Sequence, residues 1–257
     1  MKSPSADVRG VGFWTGAATG TATGTAAAAA PARAGGSARP RRRGSLLMQM
    51  VADVAAQAAA QAGASLARVR LVVGSAFGEL GTTVDLLGEL SDGGVLSPTR
   101  FHNSVHNSAA GALSIAQGNT EAAMSLAAGN DTVAMALLEA LAIIDRDGDG
   151  DGGPEVLVVV ADEPLPAALC RMPAGEAVAA ALLLAPPSRS PALARLGGLE
   201  PPPAAPPGAF RPVEIDAPCA AIRPLLAAIR AGRPGRVSLS PAGIPGWSIG
   251  VEAGSAP

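Results

Sequence analysis

Residues 130–144 place apolar or small side chains on nearly every face of a predicted helix. A helix without a polar face must be covered on all sides. The uninterrupted apolar runs at residues 155–161 and 177–185 predict strands that are buried on both faces. We therefore expect a layered fold in which this helix lies between two sheets or at a subunit interface.

The rest of the chain alternates between strand and helix patterns. Strands are predicted at residues 8–14, 69–75, 122–127 and 193–199, helices at 45–62, 79–90, 102–117 and 220–231, and a closing hairpin at 236–239 with 247–251. This order predicts an α/β class fold with a mixed sheet and a buried small-residue helix.

Composition narrows the classes of function. Hydrophobic residues make up 48% of the chain, yet there are four Phe, two Trp and no Tyr, so the core must be built from Ala, Val, Leu and Ile. A formal net charge of −2 argues against nucleic acid as a partner. Two cysteines without a CxxC motif predict a reducing, cytoplasmic setting, and the absence of a long apolar run predicts no membrane span.

Three boundaries follow from composition. We expect one domain over residues 1–199, with a flexible low-complexity insertion at 15–43, then a Pro-rich linker at 200–216 and a short C-terminal extension at 217–257. The insertion ends in Arg39, Arg41, Arg42 and Arg43. This cluster is either a solvated lead-in to the next helix or a contact for an anionic partner.

Two motifs resemble metal sites. His102 and His106 would share one face of helix 102–117, but spacing fixes no further ligand, so hydrogen bonding at the helix start, together with Asn103, Ser104 and Asn107, is the favoured interpretation. The acidic loop 145–153 fits the first half of a calcium loop, but Glu155 falls at position 11 instead of 12. We predict no metal and no cofactor.

The span 97–161 resembles the N-terminal half of the β-ketoacyl synthases, in the thiolase-like superfamily. FHNSVHNSAAGALSIAQG is followed by AAMSLAAGNDTVAMALLEALAII and then by EVLVVVADE. Asn107 and Gly111 match the N-x-x-x-G pair of that family. The short chain-length-factor-like members of the family are the most similar. The resemblance implies a thiolase-like half-fold, with His102, Asn103 and His106 as motif or packing residues.

The departures from the family pattern concern catalysis. An active ketosynthase has Cys at the strand-to-helix elbow, where an ungapped alignment places Asn130 and a three-residue shift places Ala127. The resemblance also puts Ser125, Gly129 and Asp131 around this elbow. The C-terminal half, which brings the family's further catalytic residues, has no counterpart of sufficient length here. Asn130 is either an amide equivalent to the Gln of chain-length factors or a plain helix N-cap.

The resemblance therefore implies a non-catalytic subunit that partners an active ketosynthase, an acyl chain and an acyl carrier protein in a polyketide, aryl-polyene or fatty-acid-type pathway. Arg39–Arg43 are candidate contacts for an acidic carrier protein. One alternative is an acyltransferase that uses Ser125, Asp131, Thr132 or Cys170 as nucleophile. Another is a scaffold without acyl substrate. Because a half-fold exposes a large apolar face, we expect the chain to pair with another subunit.

Overall fold

The computed structural model describes residues 4–16, 44–147, 153–169, 176–188, 190–203, 217–241 and 244–254. The strands are β1 Ser5–Gly16, β2 Arg70–Gly74, β3 Ala123–Leu126, β4 Val156–Asp162, β5 Ala177–Ala185, β6 Ala194–Glu200, β7 Gly235–Ser238 and β8 Ser248–Ala253. The helices are α1 Leu46–Ala62, α2 Leu80–Ser91, α3 Pro98–Asn103, α4 Ser108–Gln117, α5 Thr132–Asp147 and α6 Arg223–Arg230. Most of the predicted insertion, residues 17–43, and most of the predicted linker, residues 204–216, lie outside the described ranges.

One mixed sheet organises the described residues, in the strand order β3-β2-β4-β5-β1-β6-β8-β7. Strands β2, β3 and β4 are parallel, whereas β5 runs antiparallel to both β4 and β1. Every residue of β4 and β5 is buried, as the two apolar runs predict. The α/β class, the mixed sheet and the buried small-residue helix are thus confirmed.

Helix α1 covers one face of the sheet and approaches β1 very closely. Ser45 caps α1 by accepting a hydrogen bond from the amide of Met48, and Gly63 ends it with φ 64°. A Cβ on Gly12 would lie 2.0 Å from the carbonyl oxygen of Val54, so only glycine allows this approach. A strand and a helix therefore pack here backbone against backbone.

Helix α5 lies on the opposite face, where its own chain buries most of its apolar side chains but leaves Leu138 42% exposed. Its inward residues share a hydrophobic core with the sheet and with Cys219, Ile222, Leu225 and Ile249 from the C-terminal region. Strand β8 pairs with β6, so the C-terminal region also extends the sheet. Among the described residues there is one sheet, so α5 does not lie between two sheets, and away from that sheet it contacts a 3₁₀ turn at Pro218–Ile222. The alternative of a subunit interface stays a prediction.

The prediction of one helix over residues 102–117 is wrong at its N-terminal end. The structure has two helices there, α3 and α4, with a break between them. Ser97 caps α3 at the amide of Arg100, and Pro98 occupies its first turn. Ser104 donates its hydroxyl hydrogen bond to the carbonyl of Phe101, which competes with continuation of the helix. His102 and His106 therefore lie in different elements and do not stack at helical spacing.

Two smaller corrections concern helix starts. Helix α5 begins at Thr132 rather than at residue 130, after a 3₁₀ turn at Gly129–Asp131. Helix α6 begins at Arg223, three residues after the predicted start, because Pro224 suits a first helical turn. None of the helices in the described ranges is both long and apolar enough to cross a bilayer.

Candidate functional site

The carboxyl ends of β2, β3 and β4 meet at one edge of the sheet because these three strands are parallel. Residues that follow each strand therefore lie near one another, which is where open α/β sheets bind ligands. Ser75 follows β2, the turn at Gly129–Asp131 follows β3, and Asp162 ends β4. This carboxyl edge is the candidate site.

The elbow between β3 and α5 contains no thiol. Gly129 adopts φ 53°, which turns the chain sharply into the helix. Thr132 anchors the turn, since its hydroxyl donates to the carbonyl of Gly129 at 2.7 Å and accepts from the amide of Ala128 at 3.0 Å. Asn130 lies within the turn and is partly buried, and Ala127 is exposed. Asn130 and Ala127, the two residues that the sequence comparison with the family predicts at the nucleophile position, therefore both lie at this elbow.

The alternative nucleophiles differ in their surroundings. Thr132 is fully buried and its hydroxyl is occupied by the turn, so it is a capping group. The buried Oγ of Ser125 has no hydrogen-bond partner among the described residues, and in particular no base to activate it. Asp131 is partly buried in the turn, and Cys170 lies outside the described residues.

A second cysteine reaches this edge from the C-terminal region. The amide of Cys219 donates to Oδ2 of Asp162 at 2.8 Å. Oδ1 of Asp162 accepts from the hydroxyl of Ser75 at 3.1 Å and from the amide of Ala76 at 2.8 Å. Burial raises the pKa of Asp162 despite these donors. This buried carboxylate joins β2, β4 and the 3₁₀ turn at Pro218–Ile222.

Cys219 is unsuited to act as a nucleophile. Its side chain is fully buried. Burial raises the pKa of the Cys219 thiol well above its ordinary value, and the neighbouring Asp162 carboxylate raises it further. Since the thiolate is the reactive form, this thiol is held in its unreactive state. Cys219 therefore contributes packing and a backbone hydrogen bond.

Two further carboxyl groups lie at the starts of α1 and α2. Glu79 is buried, and its carboxylate accepts from the hydroxyls of Ser45 at 2.6 Å and Ser108 at 3.3 Å. Burial raises the pKa of Glu79. Glu163 accepts from the amide of Leu47, and burial together with the charge of Glu79 raises its pKa to about 7. Both side chains thus accept hydrogen bonds at the start of α1, Glu79 from the cap residue Ser45 and Glu163 from the first turn.

The histidines bind to backbone or face solvent. Nε2 of His106 lies 2.9 Å from the carbonyl oxygen of Ser75. Its ring packs on Gly78, where a Cβ would come within 2.7 Å of the imidazole. His102 is exposed on α3. The described residues contain no group of three or more His, Cys, Asp or Glu placed to hold a metal ion.

The remaining motif residues have modest roles within this chain. Asn107 precedes α4 without a side-chain cap, and the backbone carbonyl of Asn103 accepts from Ser108. Gly111 is exposed, and a Cβ there would contact nothing within 4 Å. In the acidic loop, residues 148–152 lie outside the described ranges. Asp147 pairs with Arg70 and Arg146, and hydrogen bonds from these two arginines lower the pKa of Asp147.

The sequence patterns did not identify the buried acids Asp162 and Glu79 or the half-buried Glu163. A signal for Asp162 and Glu163 was present, since two acids directly follow an apolar run that predicts a fully buried strand. Their partners come from residues 45–47, 75–76 and 219, which are distant in sequence. The spacing of motifs therefore could not have revealed the cluster.

Comparison with known proteins identifies one family and one fold. A family model described as the β-ketoacyl synthase N-terminal domain matches residues 16–199. A search of curated proteins finds no match. Among solved structures, a ketosynthase (ApeO) in complex with its chain length factor (ApeC) from Xenorhabdus doucetiae is 24% identical, with a TM-score of 0.59, and the match covers 81% of this chain and 79% of that chain.

Two further structures have the same fold at lower identity. The ishigamide ketosynthase/chain length factor is 19% identical, with a TM-score of 0.53 over 75% of this chain and 56% of that one. A type II polyketide synthase acyl-carrier protein in complex with its ketosynthase (AntDE:AntF) is 16% identical, with a TM-score of 0.59 over 79% of this chain and 70% of that one. With a family model matched over most of its length, the chain belongs to the β-ketoacyl synthase N-terminal domain family.

Proposed function

We propose that this chain is a non-catalytic, chain-length-factor-like subunit that pairs with an active ketosynthase. The pair would elongate acyl chains carried by an acyl carrier protein, in a polyketide, aryl-polyene or fatty-acid-type pathway. Two observations support the proposal: the turn at Gly129–Asp131 between β3 and α5 contains no thiol, and Cys219, the one cysteine among the described residues, is buried. A chain that keeps this fold but lacks the reactive thiol has to act through a partner that supplies it.

The open edge at β3 supports a partner subunit. Within the described residues, strand β3 is hydrogen-bonded only to β2, so none of them pairs with the backbone groups of its other edge, where another chain could pair. Met124 on β3 is 43% exposed, and Ile115 on the neighbouring helix α4 is 82% exposed. Gly111 lies one turn before Ile115 and has no packing neighbour of its own. An unpaired strand beside exposed apolar side chains is typical of a protein interface.

The names of the similar structures give the proposal its class of partner. Two of them are described as ketosynthase and chain-length-factor pairs, and one as a ketosynthase with its carrier protein. At their level of identity they share the fold, and the partner assignment for this chain remains our inference. A reducing cytoplasmic setting agrees with Cys219 as a buried free thiol.

Co-expression with the ketosynthase encoded nearest to this chain's gene tests the proposal. We expect the two chains to co-purify, and we expect the ketosynthase to gain condensing activity or a defined product length when the chain is present. The chain alone should remain unacylated when incubated with an acyl-carrier-protein thioester and analysed by mass spectrometry. An unchanged product distribution with and without the chain would overturn the proposal and favour the scaffold alternative.

The acyltransferase alternative has its own control. An Asn130→Ala variant should behave as the parent chain in the acylation assay, because neither residue is a nucleophile. An acyl adduct on the parent chain that maps to Ser125, Asp131 or Cys170 would contradict the non-catalytic assignment. Asn130→Cys places a thiol at the elbow and provides the positive control for adduct detection, since the α5 N-terminus favours a thiolate there.

A further inference from the structure

The C-terminal region is basic within an acidic chain. Residues 217–254 contain four arginines and one glutamate, whereas the chain as a whole has a formal net charge of −2. All four arginines, Arg223, Arg230, Arg233 and Arg236, are exposed. The positive charge is therefore concentrated on the surface of one short region.

The fold directs these arginines outward together. Arg223 and Arg230 are seven positions apart on α6, which places them on one face at a separation of about 10 Å. Leu225, Leu226 and Ile229 point inward and are buried. Arg233 follows directly after the turn at Gly232, and Arg236 lies at the start of β7. We call the surface made by these four arginines the C-terminal basic face.

Half of this charge has no acidic counterpart. Arg223 pairs with Glu176 at 3.0 Å, and Arg236 pairs with Glu200 at 2.7 Å. Arg230 lies 5.4 Å above the centre of the Phe13 ring, which orients its guanidinium. Neither Arg230 nor Arg233 forms an ion pair with any residue in the described ranges. A helix C-terminus favours a cation such as Arg230, but that effect does not extend to Arg233 beyond the turn.

We propose that the C-terminal basic face docks the acidic surface of the acyl carrier protein, an inference that rests on the proposed function. Complementary charge increases the rate of encounter and selects among partners. The face extends from Arg230, which lies over Phe13 on β1, to Arg236 on β7, the opposite edge of the sheet from β3. Four strand spacings of about 4.8 Å separate β1 from β3, and seven separate β7 from β3. The carrier protein and the partner subunit can therefore be bound at the same time.

The test measures binding of the full chain, with its co-purified ketosynthase, to a fluorescently labelled acyl carrier protein at low ionic strength. The double variant Arg230→Glu/Arg233→Glu should raise the dissociation constant at least about tenfold. The dissociation constant of this variant should also depend less on salt concentration. Arg68→Glu is the matched control for Arg233→Glu, because Arg68 is also exposed, lacks an ion pair with any described residue and undergoes the same change in charge. Equal melting temperatures would verify that all variants are folded.

The outcomes distinguish a failure of the docking surface from a failure of the proposed function. An unchanged dissociation constant in the double variant overturns the docking surface, as does a loss of affinity in Arg68→Glu equal to that in the single variant Arg233→Glu, which would indicate a general effect of net charge. Loss of ketosynthase co-purification in the double variant would assign the face to the subunit interface and also overturn the inference. If the unmodified chain binds no ketosynthase, the proposed function itself fails, whatever the carrier protein does.

Discussion

Strands β5 and β3 are built from similar small and apolar residues, yet they have opposite places in the sheet. β5 is central, its nine residues are all buried, and it pairs on both edges. β3 has four residues, of which the first two are exposed, and among the described strands it pairs with β2 on one edge only. The comparison separates residues that hold this fold together from residues that are available for another protein. Four substitutions test that separation.

The largest effect is expected in β5. Leu182 is 1% exposed and packs in the core shared with α5 and the C-terminal region. Leu182→Ala should lower the free energy of unfolding by about 2–5 kcal/mol, because it removes buried methyl groups and leaves a cavity. Chemical denaturation followed by circular dichroism measures the loss. A change below about 1 kcal/mol would mean that the centre of the sheet is not the main source of stability.

A smaller loss is expected at the carboxyl edge. Asp162→Asn retains one acceptor oxygen, but its amide nitrogen cannot accept the hydrogen bond from the amide of Cys219. We expect a loss of about 1–3 kcal/mol, measured by the same denaturation, because a buried donor is left unsatisfied. Asp92→Asn is the control, since Asp92 is exposed. Equal stability of the two variants would show that the C-terminal region does not depend on this carboxylate.

The third effect depends on pH. Burial raises the pKa of Glu163 to about 7 in the folded chain, from an ordinary value of 4.5. The folded state therefore favours the protonated form, and this contribution to stability is complete below pH 4.5 and is lost as the pH rises through about 7. Glu163→Gln remains neutral throughout, so it should exceed the parent in stability by about 1 kcal/mol at pH 8.

The stability of parent and Glu163→Gln should converge at pH 4, where both side chains are uncharged. Thermal melts at intervals between pH 4 and pH 8 measure the difference between the two proteins. A constant difference across this range would contradict the raised pKa and would indicate a packing effect of the substitution.

The smallest effect on stability, and the largest on assembly, is expected at β3. Met124→Lys should change the free energy of unfolding by less than about 0.5 kcal/mol, since the side chain is already 43% exposed. It should strongly reduce co-purification with the ketosynthase, because a charge on an edge strand opposes pairing. Leu169→Lys is a control at another exposed apolar site, 49% exposed. Normal pairing of Met124→Lys would remove the assignment of the β3 edge as the interface.

Much of this fold could be predicted from local patterns. The Ser45 cap and the Gly63 stop bracket α1 at the residues expected, and the apolar runs at β4 and β5 are continuous. The break between α3 and α4 could not be predicted in this way. Ser104 is a local signal for it, but after the break His106 contacts the carbonyl of Ser75, thirty-one residues earlier, and packs on Gly78, and neither contact is visible in a local pattern.

The prediction that the half-fold exposes a large apolar face was also only partly correct. Residues 217–254, described from sequence as a short extension, supply the core partners of α5 and two strands of the sheet. The C-terminal region therefore covers part of the apolar surface of α5, which we expected a second subunit to cover. Apolar side chains that stay exposed include Met124 at the β3 edge, Leu138 on α5, and Leu87 and Leu90 on α2.

The order of residues alone determined the class of fold, the family resemblance and the missing thiol at the elbow, because each depends on local pattern or on residue identity at one position. The tertiary structure decided which acids are buried, which strand is left at the edge and which region covers α5. Those features depend on which distant segments come into contact. Burial and charge at Asp162, Glu163 and the C-terminal basic face arise only from such contacts.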